Sequence, residues 1–271
     1  MNVRETAESA INAREIAESE SFDKLVQDEF GDEAKPENLL MGDDILINHV
    51  GLAKPPLMGY RYALYLLKDD DIKNKKVLNI ASGTGYESVI LARKGANVFA
   101  FDISESSVRV ANERSKINGL SKQITTEVMS VYQLGYAGNS FDYVYGNACL
   151  HHFELEKGLM EIKRVLKTGG KAVFCEPLGS SELFKKIRNL VPVRKNIVSP
   201  FERQLNYGDL EVIGKIFKTV ILREFGLFNR LDRLIKNKWI LSLFAKLDNI
   251  LLNKFTFLRK YARSVVIEAV K

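Results

Sequence analysis

The sequence predicts an α/β fold in which a doubly wound parallel sheet carries helices on both faces. Four short apolar runs, typical of strands that are buried on both sides, recur at regular intervals between residues 76 and 176. Patterns typical of helices lie between them, and Gly95 and Gly119 stand where two of these patterns end. Strand and helix in alternation are typical of a sheet of this kind.

The segments before the sheet are predicted to be helical. Apolar side chains recur at helical spacing between Phe22 and Phe30, which predicts an amphipathic helix in the acidic N-terminal segment. Residues 57–71, LMGYRYALYLLKDDD, predict a second helix that the acidic run ends.

The alternating region contains four predicted strands and a further one at residues 124–129. The four cover residues 76–81, 97–102, 141–146 and 171–176. Helices are predicted between the strands over residues 86–95, 106–119 and 156–170. After Glu176 the alternation breaks in a basic stretch with Pro192 and Pro200. Two more strand-like runs follow, at residues 217–226 and 263–271. They flank a predicted helical insertion at residues 227–260.

The composition is that of an ordinary globular protein of 271 residues, with 46% hydrophobic and 27% charged side chains. No apolar run approaches the roughly 18 residues of a membrane span. The first twenty residues are polar and acidic, unlike a signal peptide. Cys149 and Cys175 offer neither a disulfide framework nor metal-ligand spacing. We therefore expect a reduced, cytoplasmic protein without a metal site.

Charge is distributed unevenly along the chain. Residues 1–74 carry 8 basic and 16 acidic side chains, whereas residues 201–271 carry 14 basic and 7 acidic ones. The basic part could face nucleic acid, an anionic membrane or an acidic substrate. Alternatively, the acidic N-terminal helices pack near the basic C-terminal ones. We favour this last interpretation and expect no nucleic-acid partner, because no motif of interleaved aromatic and basic residues is present.

The glycine-rich run ASGTG, residues 81–85, ends the first predicted strand. Glycines let the backbone approach a ligand closely, and the N-terminus of the following helix offers free N–H groups. Asp102, 17 residues beyond Gly85, ends the second strand, where a carboxylate can accept both hydroxyls of a ribose. Nicotinamide dinucleotides and S-adenosylmethionine are both bound in this way. The dinucleotide loop needs a third glycine at position 88, where this chain has Ser88.

Four blocks of sequence in order resemble the class I S-adenosylmethionine-dependent methyltransferases, in particular the type 11 branch with its quinone and small-metabolite enzymes. The blocks, within residues 77–176, are VLNIASGTG, VFAFDIS, SFDYVYGNACLHHF and EIKRVLKTGGKAVFCEP. The resemblance implies a Rossmann-like seven-stranded sheet whose last strand is antiparallel, with a helical N-terminal segment and helical cap insertions. It also implies S-adenosyl-L-methionine as cofactor and methyl transfer to a small organic acceptor, with oxygen as the first expectation and nitrogen as the second.

The resemblance also implies which residues hold the cofactor. The loop after the first strand would lie beside the methionine part, as would Asn147. Asp102 would bind the ribose, with Ile103 against the adenine, and Ser130 and Val131 would lie near the adenine amino group. The implied set is Asn79, Ala81, Ser82, Gly83, Gly85, Asp102, Ile103, Ser130, Val131 and Asn147.

Three of these positions depart from the family pattern. Asn79 replaces an acid that helps to orient the methionine ammonium, although its amide oxygen can still accept a hydrogen bond. Ser130 replaces an acid that binds the adenine amino group, so that contact is expected to be weaker or made by backbone. Ala81 replaces a glycine, at little cost if its φ is negative.

Candidate catalytic residues are His151, His152 and Glu176. Methyl transfer needs alignment above all, but a hydroxyl or ammonium acceptor must also lose a proton, which suits a histidine. Neighbouring residues point in different directions, and we favour His152 over His151. Both histidines could instead be structural, and Glu176 could pair with a basic side chain of residues 183–200. A metal-assisted mechanism through Asn147, Glu176 and His152 is the least favoured, because paired acids are missing.

The predicted organisation is a helical segment or lid over 1–74, a cofactor-binding core over 75–182, and acceptor-site cap insertions with the closing strands over 183–271. A wide apolar stripe in residues 238–255 predicts a cap over the acceptor site. The alternative is an interfacial helix at a membrane, with the lysines on its wet side: Lys236, Lys238, Lys246 and Lys254.

Two other functions stay open on the sequence alone. A nicotinamide-dependent oxidoreductase would bind a dinucleotide, which Ser88 disfavours. A non-catalytic scaffold or regulator of the same fold would bind the cofactor and yield no methylated product.

Overall fold

The computed structural model describes residues 3–42, 59–179, 203–228 and 237–271, which contain one seven-stranded sheet. Its strands are β1 (Lys76–Ile80), β2 (Asn97–Asp102), β3 (Ile124–Val128), β4 (Phe141–Asn147), β5 (Leu166–Pro177), β6 (Thr219–Phe225) and β7 (Ser264–Val270). The strand order is β3-β2-β1-β4-β5-β7-β6. The first five strands are parallel, and β7 runs antiparallel to both β5 and β6. The prediction of a doubly wound sheet with an antiparallel last strand is confirmed.

The helices of the described residues surround the sheet. They are α1 (Val3–Phe30), α2 (Pro36–Leu39), α3 (Gly59–Leu66), α4 (Asp69–Ile72), α5 (Tyr86–Arg93), α6 (Glu105–Ile117), α7 (Leu155–Val165), α8 (Tyr207–Ile216) and α9 (Lys238–Lys254). Two 3-10 helices cover Leu150–His152 and Thr256–Tyr261. None of the helices described is long and apolar enough to cross a membrane.

Two apolar layers, one on each face, hold the sheet. On one face α3 and α5 contribute Leu64 and Ile90, which pack with the inward side chains of β1 and β2. On the other face α7 and α8 contribute Ile162 and Ile213. Each fully buried side chain of this size stabilises the fold by about 1.5–3 kcal/mol. Because helices cover both faces of the central strands, these strands have apolar residues at successive positions.

Two helix boundaries predicted from the sequence are wrong. The helix predicted over 156–170 ends at Val165, and Leu166 already pairs with Phe141 of β4. Gly169, with a φ of +77°, lies in the irregular start of β5. The helix predicted over 57–71 is interrupted after Leu66, and the acidic run begins the short helix α4 instead of ending α3. Acidic residues are favoured in the first turn of a helix by its dipole.

The N-terminal helix predicted from the apolar spacing is confirmed and is longer than the apolar run, since α1 has 28 residues. Val26 of α1 packs with Val110 of α6. The Ser19 hydroxyl donates a 3.1 Å hydrogen bond to the backbone oxygen of Ile103, directly after β2. These contacts place α1 against α6 and the carboxyl end of β2.

The C-terminal insertions are described in part. Residues 180–202 and 229–236 lie outside the described residues, and with them Pro192, Pro200 and Lys236. Within the predicted helical insertion at 227–260, α9 and the following 3-10 helix confirm helical structure. The division of the chain into segments 1–74, 75–182 and 183–271 stays a prediction.

Candidate functional site

A cavity of about 220 Å³ opens at the carboxyl ends of β1, β2 and β4, beneath α1. Ala81 and Gly83 follow β1, Asp102 ends β2, and Asn147 ends β4, and all four line the cavity. Ligands of open parallel sheets bind outside the carboxyl ends of the strands, near the point where the strand order reverses. The order reverses here at β1, which lies between β2 and β4. The topology therefore marks this cavity as the candidate site.

Two alanines with left-handed backbone line this cavity. Ala81, after β1, has a φ of +44°, and Ala148, after β4, has a φ of +52°. The expectation that alanine costs little at position 81 was limited to a negative φ, and this condition is not met. A left-handed non-glycine residue costs roughly 1–2 kcal/mol. Backbone strain of this size concentrates at functional sites, which supports a ligand-binding role for the cavity.

The glycines of the loop are required by its geometry. Gly83 and Gly85 have φ values of +50° and +78°. A Cβ atom on Gly85 would lie 2.8 Å from the Cβ of Ala111 in α6, too close for any side chain. The loop therefore passes directly against α6 and presents the N-terminus of α5 beside the cavity.

Asp102 is the buried acid of the site. Its Oδ2 accepts a 2.8 Å hydrogen bond from the Gly83 N–H, and its Oδ1 accepts a 3.0 Å bond from the Ser104 N–H. Burial raises the pKa of Asp102, and hydrogen bonds from the backbone of Ser104, Gly83 and Ile103 oppose that rise. Each carboxylate oxygen has two lone pairs, so both oxygens can accept a further hydrogen bond from a ligand.

Helix α1 brings acidic side chains to the same cavity. Glu15 and Glu18 line it. The Ser130 hydroxyl donates a 2.5 Å hydrogen bond to Oε1 of Glu15. Asp23 accepts hydrogen bonds from the Ser104 hydroxyl at 2.7 Å and from the Ser106 N–H at 3.0 Å. The sequence reasoning missed these three acids, because nothing in their spacing connects them with partners about 80 to 135 positions away.

His151 and Glu176 form a buried pair beneath the cavity. Nδ1 of His151 lies 2.7 Å from Oε2 of Glu176, whose side chain is completely buried. Oε1 of Glu176 accepts hydrogen bonds from the N–H groups of Cys149 and Leu150, at 2.8 and 2.9 Å. The carboxylate therefore holds the 3-10 turn after β4 in place.

His152 faces the cavity itself. Its Nδ1 lies at ion-pair distance, 3.2 Å, from Oε2 of Glu18. The ring of Phe22 packs edge-on against the imidazole, with 5.2 Å between the ring centroids. One edge of the imidazole is thus held by two side chains of α1.

Two polar contacts lie behind the loop. The Asn147 amide donates a 3.2 Å hydrogen bond to Glu87 in the first turn of α5, and burial raises the pKa of Glu87. The Asn79 amide donates a 2.9 Å bond to the hydroxyl of Ser88. Ser88, which stands where a dinucleotide loop has its third glycine, thus fixes a side chain of β1.

The structure brings seven of the predicted site residues to the cavity wall. They are Ala81, Gly83, Asp102, Ile103, Val131, Asn147 and His152. The others are not part of that wall: Asn79, Ser82, Gly85, Ser130, His151 and Glu176. The roles assigned to both groups stay predictions. Within the described ranges, no group of three or more His, Cys, Asp or Glu side chains could hold a metal ion.

The seven-stranded order with β7 inserted antiparallel between β5 and β6 is the fold of the class I S-adenosylmethionine-dependent methyltransferases. Residues 78–174 match the family described as methyltransferase domain. This confirms the resemblance found in residues 77–176.

A curated relative and two solved structures are similar to this chain. Demethylmenaquinone methyltransferase of Bacteroides fragilis is 34% identical over 105 residues, 38% of this chain and 43% of the relative. Magnesium protoporphyrin IX methyltransferase from Synechocystis, with bound SAH, has a TM-score of 0.54 and 17% identity, covering 86% of this chain and 89% of that one. The [4+2]-cyclase SpnF has a TM-score of 0.53 and 16% identity, covering 88% and 82%. The match thus spans less than half of the curated relative, and the structures show a common fold.

Proposed function

We propose that this chain transfers a methyl group from S-adenosylmethionine to a small organic acceptor. Oxygen is the favoured acceptor atom, and nitrogen is the alternative. The observation that carries the proposal is Asp102, a buried carboxylate that ends β2, lines the cavity and is bonded to the Gly83 N–H of the glycine loop. This arrangement suits a nucleoside with a short tail. A quinone-like acceptor is the first candidate, because the Bacteroides fragilis relative is named for demethylmenaquinone.

The residues of the cavity fit an adenosyl group. The free lone pairs of Asp102 match the two hydroxyls of a ribose. Ile103, Met129 and Val131 form an apolar wall beside that carboxylate, suited to a flat base. Asn147 lies across the cavity at the end of β4, where a methionine tail would extend.

Glu15 is proposed to bind the adenine amino group. Ser130 stands where related enzymes have an acid, but its hydroxyl holds the carboxylate of Glu15 at the cavity wall. An amino group donates to a carboxylate oxygen more strongly than to a hydroxyl, because the acceptor is charged. In this chain α1 would thus supply the acid that the segment after β3 lacks.

The chain's own contribution to the chemistry is alignment and proton transfer. When bound, S-adenosylmethionine supplies an activated methyl group on a positively charged sulfur. The site fixes reactants in line, which contributes on the order of 7–11 kcal/mol in favourable cases. His152 is proposed to take the acceptor's proton, and Glu18, 3.2 Å from its Nδ1, is proposed to hold the ring in place.

The decisive experiment supplies methyl-labelled S-adenosylmethionine with a demethylated naphthoquinol, a catechol and a primary amine, and identifies the labelled atom by mass spectrometry. Label on an oxygen or nitrogen of any acceptor supports the proposal and decides between these two atoms. Label on a ring carbon of the naphthoquinol would support methyl transfer but contradict the proposed acceptor atom. Product detection is essential because a fold does not determine a reaction, and one similar structure is named a cyclase. Binding of S-adenosylhomocysteine without transfer to these acceptors or to cell-extract metabolites would favour the scaffold, and binding of a nicotinamide dinucleotide would favour the oxidoreductase.

Replacing His152 by glutamine is expected to lower kcat about 100- to 10,000-fold, the usual contribution of a general base. The affinity for S-adenosylhomocysteine should change less than about threefold, because glutamine is also polar and comparable in size. Glu18→Gln, which keeps the shape and removes the charge beside Nδ1, should lower kcat by a smaller factor. Steady-state kinetics and calorimetric titration of both variants measure the two effects. Equal kcat in wild type and His152→Gln would remove His152 from the mechanism.

A further inference from the structure

Helix α9 turns an apolar face to solvent. Trp239, Leu243, Leu247 and Ile250 are all exposed, and the tryptophan most of all, at 75%. Their spacing of four, four and three residues places them in one arc of the helix surface. Leu252, on the opposite side, is buried. This is the reverse of an ordinary surface helix, which buries its apolar stripe and exposes polar residues.

The exposed apolar face continues beyond the helix. Phe255 and Phe257, at the start of the following 3-10 helix, are also exposed, and their rings lie edge to face, 6.0 Å apart. Of the twelve large apolar side chains that are exposed in the described residues, six lie between residues 239 and 257. Single exposed apolar side chains are normal, but a contiguous patch indicates an interaction site.

The charges in this patch are positive. Lys246 and Lys254 are exposed and, by helical spacing, lie in the same arc as the apolar residues. Lys260, in the 3-10 helix, is exposed as well. The single acid in the sequence of α9, Asp248, is buried and accepts a hydrogen bond from the Phe228 N–H at 2.9 Å. The patch therefore combines a tryptophan and aliphatic groups with cations and presents no carboxylate of its own helix.

We propose that α9 and the following 3-10 helix lie flat on an anionic lipid bilayer. Large apolar side chains enter the boundary between headgroups and acyl chains, where tryptophan is especially favoured. The lysine stems can lie along the apolar layer while their ammonium groups reach the anionic headgroups. A cationic patch without acids complements such a surface. The proposal does not depend on the proposed methyl transfer.

The test uses the full chain and exploits Trp239, which is the only tryptophan in the sequence. Vesicles of phosphatidylcholine with one third phosphatidylglycerol should shift its emission to shorter wavelength, and brominated acyl chains should quench it. Pure phosphatidylcholine vesicles should bind at least about tenfold more weakly, because each lysine adds electrostatic attraction to an anionic surface. Flotation in a density gradient measures the bound fraction independently of fluorescence.

Charge-reversal and apolar variants sharpen the test. Lys246→Glu with Lys254→Glu, and separately Leu243→Ser with Ile250→Ser, should each lower binding to the anionic vesicles at least about tenfold. The matched controls are Lys215→Glu in α8 and Met160→Ser in α7, both exposed and outside the patch, which should bind as wild type. Unchanged emission of Trp239 with anionic vesicles, or equal losses in the controls, would overturn the proposal. A different outcome is possible: the wild type does not bind vesicles but sediments as a dimer, and the Leu243→Ser, Ile250→Ser variant sediments as a monomer. That result would assign the patch to contact with a second copy of the chain instead.

Discussion

Asp102→Ala is expected to weaken binding of S-adenosylhomocysteine by roughly 100- to 10,000-fold and to leave the sheet folded. A hydrogen bond to a charged group contributes about 1.5–3 kcal/mol, and a ribose would make two with this carboxylate. The variant also frees the N–H groups of Gly83 and Ser104, which now hold the loop against β2. Calorimetric titration measures the affinity, and circular dichroism shows that the fold is retained.

Two further variants separate charge from shape in this experiment. Asp102→Asn keeps an oxygen for one backbone N–H but loses the charge, so its affinity should lie between those of wild type and Asp102→Ala. Glu15→Gln should weaken binding about tenfold, since one amino-group contact loses its charged acceptor. Wild-type affinity in Asp102→Ala would contradict the placement of the ribose, and with it the proposed cofactor. Wild-type affinity in Glu15→Gln would contradict only the proposed contact of Glu15 with the adenine amino group.

The strands and the cofactor loop were predictable because their determinants are local. β2 covers the predicted run Asn97–Asp102, whose central residues are apolar because the strand is covered on both faces. Asp102 was predictable because the carboxyl ends of parallel strands meet at one edge of the sheet. The start of β5 was not predictable from the sequence. Leu166 pairs with Phe141 of β4 across a shift in register, and such a bulge depends on contacts between two separate strands.

The α1 side of the cavity could not be predicted from the sequence. Glu15 meets Ser130 across 115 residues, and the spacing of acids in α1 carries no sign of that contact. The helical pattern of α1 was visible, but a pattern does not say where a helix docks. The left-handed φ of Ala81 was equally hidden, because the residue type at that position favours a negative φ.

The strained alanines and the α1 acids point to the same interpretation of the cavity. Ala81 and Ala148 follow the parallel neighbours β1 and β4, and both hold backbone conformations that cost free energy. Such conformations persist where the surrounding structure holds them. Here α1 packs over the cavity and Glu176 fixes the turn that follows Ala148. The protein's own contacts therefore hold the site from both sides of the sheet edge.

Glu176→Ala is expected to destabilise the fold by about 3–5 kcal/mol, the usual cost of removing one partner from a buried pair. The variant leaves Nδ1 of His151 and the N–H groups of Cys149 and Leu150 without their buried acceptor. Urea denaturation measures the free energy of unfolding. Glu268→Ala is the matched control, because Glu268 pairs with the half-exposed Lys171 at 3.0 Å on the same sheet and should cost at most about 1 kcal/mol.

Glu176→Gln distinguishes this structural role from the catalytic role considered for the same residue. Glutamine keeps an oxygen for the two N–H groups but removes the charge beside His151, so the loss of stability should be smaller than in Glu176→Ala. If the carboxylate only holds the turn, kcat of the folded Glu176→Gln protein should fall less than about tenfold. A 100- to 10,000-fold loss of kcat at wild-type stability would make Glu176 the base, because such a loss is the size of a general-base contribution. The complete burial of the Glu176 side chain and its three contacts favour the first outcome.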